Sequence, residues 1–350
     1  MNKKFGLLYC LVLIVSLMTT SCGNSDDDLI GNWVAASTDF AGKVRGYATS
    51  FTVGSELYVF GGYNGKTHFQ DLWKLDLSST DGSWTQLADL DSTTATITDA
   101  TTAHYARKYA VGFSIDTDGY IGCGWNGNDY MKDFWKYDTS TDTWTQIANF
   151  PESARYGCYG FSLNSVGYVG GGVNDDGYFN SINSYDPSTA SWTTLTGKGK
   201  KRAYASAFVI SDVAYLFGGL NSSGAPTDMW SFDGTDWVEK REIYNKTDES
   251  YDDDYSNIAR YNAATFVING KGYVTCGTSG SGTILKYTWE YNPTNDLWTQ
   301  KTSFEKTART GAIGATITTG AGIVVTGASG STYLDDANFF YPSADYSDND

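Results

Sequence analysis

One ordered set of apolar and polar segments recurs along this chain. Its clearest copy runs from Arg202 to Trp237: R-A-Y-A-S-A-F-V-I, then A-Y-L-F-G-G-L-N, then T-D-M-W-S-F-D, then G-T-D-W. A small-residue run is followed by an apolar run ending in Gly218-Gly219, a run with alternating aromatics, and a closing Trp. Each segment is strand-sized, and Gly, Asn and Asp mark the breaks. Four short strands with nothing helical between them make one antiparallel sheet. Such a sheet cannot bury its own faces and must stack on copies of itself.

The copies form a series of Arg–Gly–Trp frames. They run Arg45, Gly62, Trp84; Arg107, Gly124, Trp144; Arg155, Gly172, Trp192; Arg202, Gly219, Trp237; Arg260, Gly277, Trp298; and Arg309, Gly327. Successive marker glycines lie 62, 48, 47, 58 and 50 residues apart. The sixth unit has an aromatic run, Asn338-Phe339-Phe340-Tyr341, but no closing Trp. The missing strand lies at the other end, where Gly31-Asn32-Trp33-Val34 precedes the first Arg without a unit of its own. The expectation is an all-β, six-bladed propeller whose last blade is closed by the N-terminal strand, leaving no sheet edge unpaired.

Three stretches carry a family resemblance: Tyr58-Val59-Phe60-Gly61-Gly62, Asp71-Leu72-Trp73-Lys74-Leu75-Asp76 and Trp84, with equivalents in later units. The chain resembles the Kelch-repeat family over residues 31–342. It departs from the Gly-Gly pattern at Cys123, Cys276 and Thr326-Gly327. The resemblance implies a Kelch-type propeller. A fold of this kind does not by itself name a function.

Composition agrees with that architecture. Five prolines, 39 glycines and 11 Trp, 26 Tyr and 17 Phe suit tight turns and aromatic packing between sheets. The inner strands are built from small residues, as in Ala205-Ser206-Ala207, and the closing residues Trp33, Trp84, Trp144, Trp192 and Trp298 read as core. Turns inside the units read as Asp116-Thr117-Asp118-Gly119 and Asn269-Gly270-Lys271-Gly272. Two connections are longer than the others, each 23 residues from Trp to the next Arg. One holds a Thr-rich loop, Ser92 to His104, and the other an acidic loop, Asp248 to Asp254. Long loops are where propellers place function. The formal charge of −16 argues against nucleic acid and against adhesion to anionic lipid by charge.

The N-terminus reads as an export signal. Met1-Asn2-Lys3-Lys4 precedes a fourteen-residue apolar run, Phe5 to Met18, too short to span a bilayer. Thr19-Thr20-Ser21-Cys22 resembles a bacterial lipoprotein cleavage site, which implies lipid on Cys22 and a signal peptide over 1–21. The acidic linker 22–30 resembles the surface-export signal of Bacteroidetes-type lipoproteins. These resemblances imply an outer-membrane lipoprotein, surface-displayed in preference to inward-facing. An acidic tail, 343–350, ends the chain. Cys123, Cys158 and Cys276 then read as buried free thiols within strands, not as a disulfide framework.

Candidate chemistry is sparse. Two histidines, His68 and His104, make no His-based metal centre. Galactose oxidase shares the Kelch-type propeller, but its copper site cannot be assembled here, and neither a G-x-S-x-G nor a phosphate-cradling glycine motif occurs. Asp252-Asp253-Asp254 lacks the spacing of a calcium loop. No metal, cofactor or catalytic residue is assigned. The constellation that stands out is the arginine heading each inner strand: Arg45, Arg107, Arg155, Arg202, Arg260 and Arg309. Tyr47, Tyr109, Tyr156, Tyr204 and Tyr261 follow, and the turns after the marker glycines bring Tyr63-Asn64, Trp125-Asn126, Val173-Asn174 and Leu220-Asn221 to the same face. Arg forks, aromatic plates and amides suit a carboxylate-bearing glycan or an acidic peptide. In Kelch adaptors that capture acidic peptides, Arg at this repeat position contributes to the pocket. The same arginines can instead brace neighbouring loops through backbone carbonyls or Asp.

The reading is therefore a monomeric, lipid-anchored propeller that binds a glycan or protein ligand on its Arg/Tyr-rich face without catalysis. The alternatives are a sugar mutarotase of the sialic-acid type, as some exported bacterial Kelch propellers are, or a structural member of an outer-membrane complex. Strand alternation predicts that the chain enters at the face opposite the arginines, turning the Arg–Tyr face away from the membrane.

Overall fold

The computed structural model describes residues 29–96, 105–244, 255, 257–318 and 320–347. Every regular element among them is a β-strand, and the strands form six four-stranded antiparallel blades. From inner to outer strand, blade 1 is Thr49–Val53, Glu56–Phe60, Leu72–Asp76 and Trp84–Gln86. Blade 2 is Val111–Ile115, Asp118–Gly122, Phe134–Asp138 and Thr143–Ile147. Blade 3 is Tyr156–Leu163, Val166–Asn174, Ile182–Asp186 and Ser191–Leu195. Blade 4 is Ser206–Ile210, Val213–Phe217, Trp230–Phe232 and Trp237–Glu239. Blade 5 is Ala264–Ile268, Lys271–Thr275, Thr288–Asn292 and Leu297–Lys301.

Blade 6 joins the two ends of the chain. Ile313–Thr316, Gly322–Val325 and Ala337–Tyr341 supply three strands, and Asn32–Ala35 supplies the outer one. Trp33 lies opposite Phe340 and Val34 opposite Phe339, as ring closure requires. The Trp33 indole is fully buried, donates to the Thr302 carbonyl at 3.1 Å and meets Phe304 edge-on at 4.8 Å. Outer strands run toward the arginine end, so Asn32 enters at the opposite end. There Gly31 N–H donates to the Ala344 carbonyl at 2.9 Å, which places both described termini on one face.

The hydrophobic core is divided into six clusters, one at each interface between neighbouring blades. A repeated volume rule fills them. In blades 1 to 5 the inner strand carries a Phe (Phe51, Phe113, Phe161, Phe208, Phe266) that packs on a Tyr of its own blade at 4.8–5.8 Å. The facing second strand of the next blade makes room with Gly119, Gly167, Gly272 or Gly322, where an added Cβ would fall 2.2–2.4 Å from the ring. Ala214 takes that place beside Phe161. At the seam between blades 6 and 1 both partners change: Ala315 replaces the Phe, and Leu57 replaces the Gly. Volume is conserved across the pair, as close packing demands.

Several expectations meet the coordinates unevenly. Trp33, Trp144 and Trp298 are buried, whereas Trp84 and Trp192 are half-buried. The Asn269-Gly270 turn has both residues in the left-handed region, at φ 51° and 74°, as a two-residue hairpin needs. Cys123 and Cys276 are buried as expected, but they sit just past their strands, not within them, and Cys158 is only half-buried in the channel wall. Burial pushes the Cys123 thiol well up, and the Cys276 thiol up to about 11. The described parts of the long insertions pack on blade edges. Ala95–Thr96 adds a parallel strand outside Thr143–Ile147, and buried Tyr255 lies against Trp289. Cys22, the signal segment, His104 and the acidic stretch Asp248–Asp254 lie outside the described residues.

The seam yields a double-mutant test. Ala315→Phe alone should destabilise by roughly 1–3 kcal/mol through overpacking, and Leu57→Gly alone by about 3 kcal/mol through the cavity it leaves. The double variant restores the pattern of the other interfaces. Its loss in urea unfolding should be smaller than the sum of the single losses by at least ~1 kcal/mol. Simple additivity would mean that the two residues do not share the interface in this way.

Candidate functional site

The six arginines do not face the channel mouth. Each is 0–1 % exposed. Each folds back on its own blade and donates Nη1 to the carbonyl sixteen or seventeen residues on: Gly61, Cys123, Gly171, Gly218, Cys276 and Thr326, at 2.9–3.3 Å. Four also pair with an Asp at the head of the third strand. Arg45 forks onto Asp71 at 2.6 and 2.8 Å and Arg107 onto Asp133 at 2.8 and 2.7 Å. Arg202 pairs with Asp228, and Arg309 with Asp336 at 2.6 Å. In blade 3, Ser181 stands where those four blades have Asp, and Glu152 meets Arg155 at 2.8 Å. In blade 5, Arg260 donates among the described residues to the carbonyls of Cys276, Tyr287 and Asn257, and burial pulls its pKa down to about 9. Burial pushes the Asp228 carboxyl up, but Arg202 and the donors Lys200 N–H and Trp230 Nε1 outweigh it, so the group lies below the usual carboxylate range. The candidate arginines are thus braces with no donor turned to solvent, and other residues line the mouth.

The turn behind the arginine builds it. Two residues after each Arg the backbone enters the left-handed region: Tyr47 at φ 61°, Tyr109 at 55°, Gly157 at 67°, Tyr204 at 57°, Asn262 at 53° and Gly311 at 63°. Their N–H groups form a closed circle. Tyr47 donates to Gly311, Tyr109 to Tyr47, Gly157 to Tyr109, Tyr204 to Gly157, Asn262 to Tyr204 and Gly311 to Asn262, at 2.7–3.2 Å. A second circle links the blades further out, where the second marker glycine donates to the carbonyl of the next blade's Arg at 2.8–2.9 Å. That glycine has φ 83–115°, beyond what a side chain tolerates. The position before it has φ 54–67°, inside the small left-handed region open to side chains, where Cys123 and Cys276 stand and the β-branched Thr326 stands under strain.

Glycine and tyrosine share the inner circle for a steric reason. A Cβ on Gly311 would fall 2.2 Å from the Tyr47 ring, and one on Gly157 would fall 2.6 Å from the Tyr204 ring. Three tyrosines therefore fill the mouth. Tyr109 lies between the others, 4.8 Å from Tyr47 and 5.0 Å from Tyr204. Beneath them is a cavity of about 140 Å³ walled by Ala48, Ala110, Cys158, Ala205, Ala263 and Ala312. Burial pushes the Tyr47 phenol up to about 12 and the Tyr109 phenol well above its ordinary range, so both stay neutral at ordinary pH.

Tyr156 and Tyr261 belong to an outer rank, one residue after their Arg. Tyr156 stacks on Tyr130 at 5.3 Å and lies 5.7 Å from Trp125, and Tyr261 lies 6.3 Å from Tyr204. Tyr63 packs on His68 at 4.5 Å and on Tyr333 at 5.9 Å. The expected amides are occupied, two within their turns and two by the carbonyl just before the Arg of their blade. Asn64 Oδ1 accepts from Lys66 and Thr67, Asn126 Oδ1 from Asn128 and Asp129, Asn174 Nδ2 donates to Ala154 and Asn221 Nδ2 to Lys201. Sequence reading missed Lys108, His68, Tyr130 and Tyr333. Only Lys108 left a signal there, being the one basic residue directly after a marker arginine. Among the described residues no group of three or more His, Cys, Asp or Glu could hold a metal ion.

The KLHDC2/KLHL20/DRC7 Kelch-repeats domain matches residues 33–219, from the closing strand to the marker glycine of blade 4. The chain belongs to the Kelch-repeat family. No curated protein matches it. A Kelch propeller is a scaffold for binding proteins or other ligands, and in this Kelch chain the Arg–Asp brace holds the scaffold while the residues after the Arg form the face.

Removing the brace should read as loss of folding. Arg107→Ala leaves Asp133 buried and unpaired and should lower stability by about 3–5 kcal/mol. Arg107→Lys cannot restore the two-pronged contact and should recover only part of the loss. Urea unfolding monitored by tryptophan fluorescence measures both. A variant as stable as the parent would show that the pair is dispensable.

Proposed function

We propose that this Kelch propeller is an exported, lipid-anchored binding protein that holds a glycan or a protein ligand on the tyrosine face at the mouth of its channel, without catalysis. One observation carries the reading: Tyr47, Tyr109 and Tyr204 occupy left-handed backbone positions where glycine serves in blades 3 and 6. A bulky residue at such φ costs on the order of 1–2 kcal/mol, and strain of this kind clusters at ligand sites. Together with Tyr63, Trp125, Tyr130 and Tyr156 these rings make a half-buried aromatic surface with hydroxyl and indole edges, suited to sugar faces and to apolar side chains alike.

The test keeps the fold and removes the rings. The chain from Gly23 onward and its Tyr47→Gly/Tyr109→Gly/Tyr204→Gly variant are applied to a glycan array and to immobilised outer-membrane protein. Glycine is at home at these φ values, so the variant's melting temperature should hold while retained ligand falls at least about tenfold. Undiminished binding by a stable variant would remove the tyrosines from the site.

The anchor is part of the proposal. With Asn32 entering at the end opposite the tyrosines, lipid on Cys22 would hold that end to the membrane and turn the tyrosine face outward. On intact cells, antibodies against the Lys43 and Lys198–Lys201 turns should bind, and antibodies against the Asp116–Asp118 and Asn269–Lys271 hairpins should not. The reverse pattern would refute this orientation.

A further inference from the structure

The six bridges at the rim of the mouth are equivalent by repeat, and their first members are Gly46, Lys108, Tyr156, Ala203, Tyr261 and Thr310. Only one is charged. The Lys108 ammonium stands 4.3 Å from the centre of the Tyr63 ring, 4.7 Å from Trp125 and 5.5 Å from Tyr109. It makes no hydrogen bond or ion pair with any described residue, in a chain of net charge −16. Aromatic faces answer its charge but accept none of its three N–H donors in the manner of an oxygen. Burial lowers the Lys108 pKa, and with no carboxylate beside it nothing opposes that shift. His68 is pushed down by burial and then by Lys108, so it adds no second cation at neutral pH.

We infer that Lys108 is the anion anchor of the tyrosine face, placed to hold the carboxylate of an acidic sugar whose ring lies on Tyr63 and Trp125. The inference rests on the reading of this face as a binding surface and names its ligand class. The half-exposed Tyr63 and Trp125 rings turn their faces to the ammonium, while the turn amides beside it are closed on themselves. The surface therefore offers stacking and one ammonium, with the Asp175 and Asp129 carboxylates confined to the Tyr130 edge, and no backbone ladder for an extended peptide to join. A carboxylate arriving here completes the donors of a half-buried ammonium, an interaction stronger than a neutral hydrogen bond.

The test titrates the chain from Gly23 onward with D-glucuronate, with D-glucose and with N-acetylglutamate amide, following the Trp125 indole and Lys108 side-chain resonances. Glucuronate should shift both in a saturable way, at a concentration roughly tenfold below that needed for glucose. Lys108→Met should erase that preference and Lys108→Arg should retain it, with melting temperatures confirming that both variants fold. Equal response to glucuronate and glucose would overturn the anchor while leaving the aromatic face standing. Response to N-acetylglutamate amide alone would overturn the sugar assignment in favour of a peptide carboxylate. No response to glucuronate would overturn the inference outright, and the tyrosine-to-glycine screen would then decide separately whether the face binds anything.

Discussion

A closed circle of six backbone hydrogen bonds, each made by a residue in the left-handed region, is the constraint around which this propeller is arranged. Each bond fixes one blade to the preceding one at the axis, where blades are narrowest and side chains too small to hold them. The left-handed residue needs a support, and the buried arginine two positions earlier supplies it. Its side chain ties the start of the inner strand to the end of the second strand, and its carbonyl receives the previous blade's marker glycine. Arg, left-handed turn and glycine pair are thus one device repeated six times. Hydrophobic burial between blades supplies the bulk of the free energy, and the device sets the angle at which the blades meet.

Much of this was readable before the coordinates. The Arg–Gly–Trp spacing gave six blades, and Gly31-Asn32-Trp33-Val34 gave the closing strand, because alternation and turn chemistry are local and repeat. The role of the arginines was left between two readings, and the structure decides for the brace. The partner was in plain view: the Asp opening Asp71-Leu72-Trp73 recurs 26 residues after Arg in three blades. What the chain could not reveal was direction. Whether a guanidinium turns toward the mouth or back toward its blade depends on the carbonyl that the second strand brings within its reach, and Tyr is a poor advertisement for the left-handed backbone that follows. The same blindness hid the division of the tyrosines into an inner rank of three and an outer rank at Tyr156 and Tyr261.

Function, in repeat proteins of this kind, is written where the repeat is broken. The inner circle mixes three tyrosines with two glycines and an asparagine because added side chains at the glycines would meet the neighbouring rings, and of the six bridge positions around the mouth only one, Lys108, carries a charge. Stability residues obey the six-fold rule closely, as the arginines do. The residues of the face, Tyr63, Lys108, Trp125 and Tyr130, have no counterparts of the same type in the opposite blades. A charge and a set of plates placed off-centre give the mouth a polarity that the scaffold lacks.

The exchange of Ala315 and Leu57 at the seam bears on how such a ring knows its own size. Blades 2 to 6 each present a recess that admits a Phe from the blade before. Blade 1 presents Leu57, which fills that recess. Each of blades 2 to 5 carries a Phe for which Leu57 leaves no room. Only the blade bearing Ala315 can dock there. A ring closed one blade early, or on a Phe-bearing blade of a second molecule, would set a Phe against the socket that Leu57 fills.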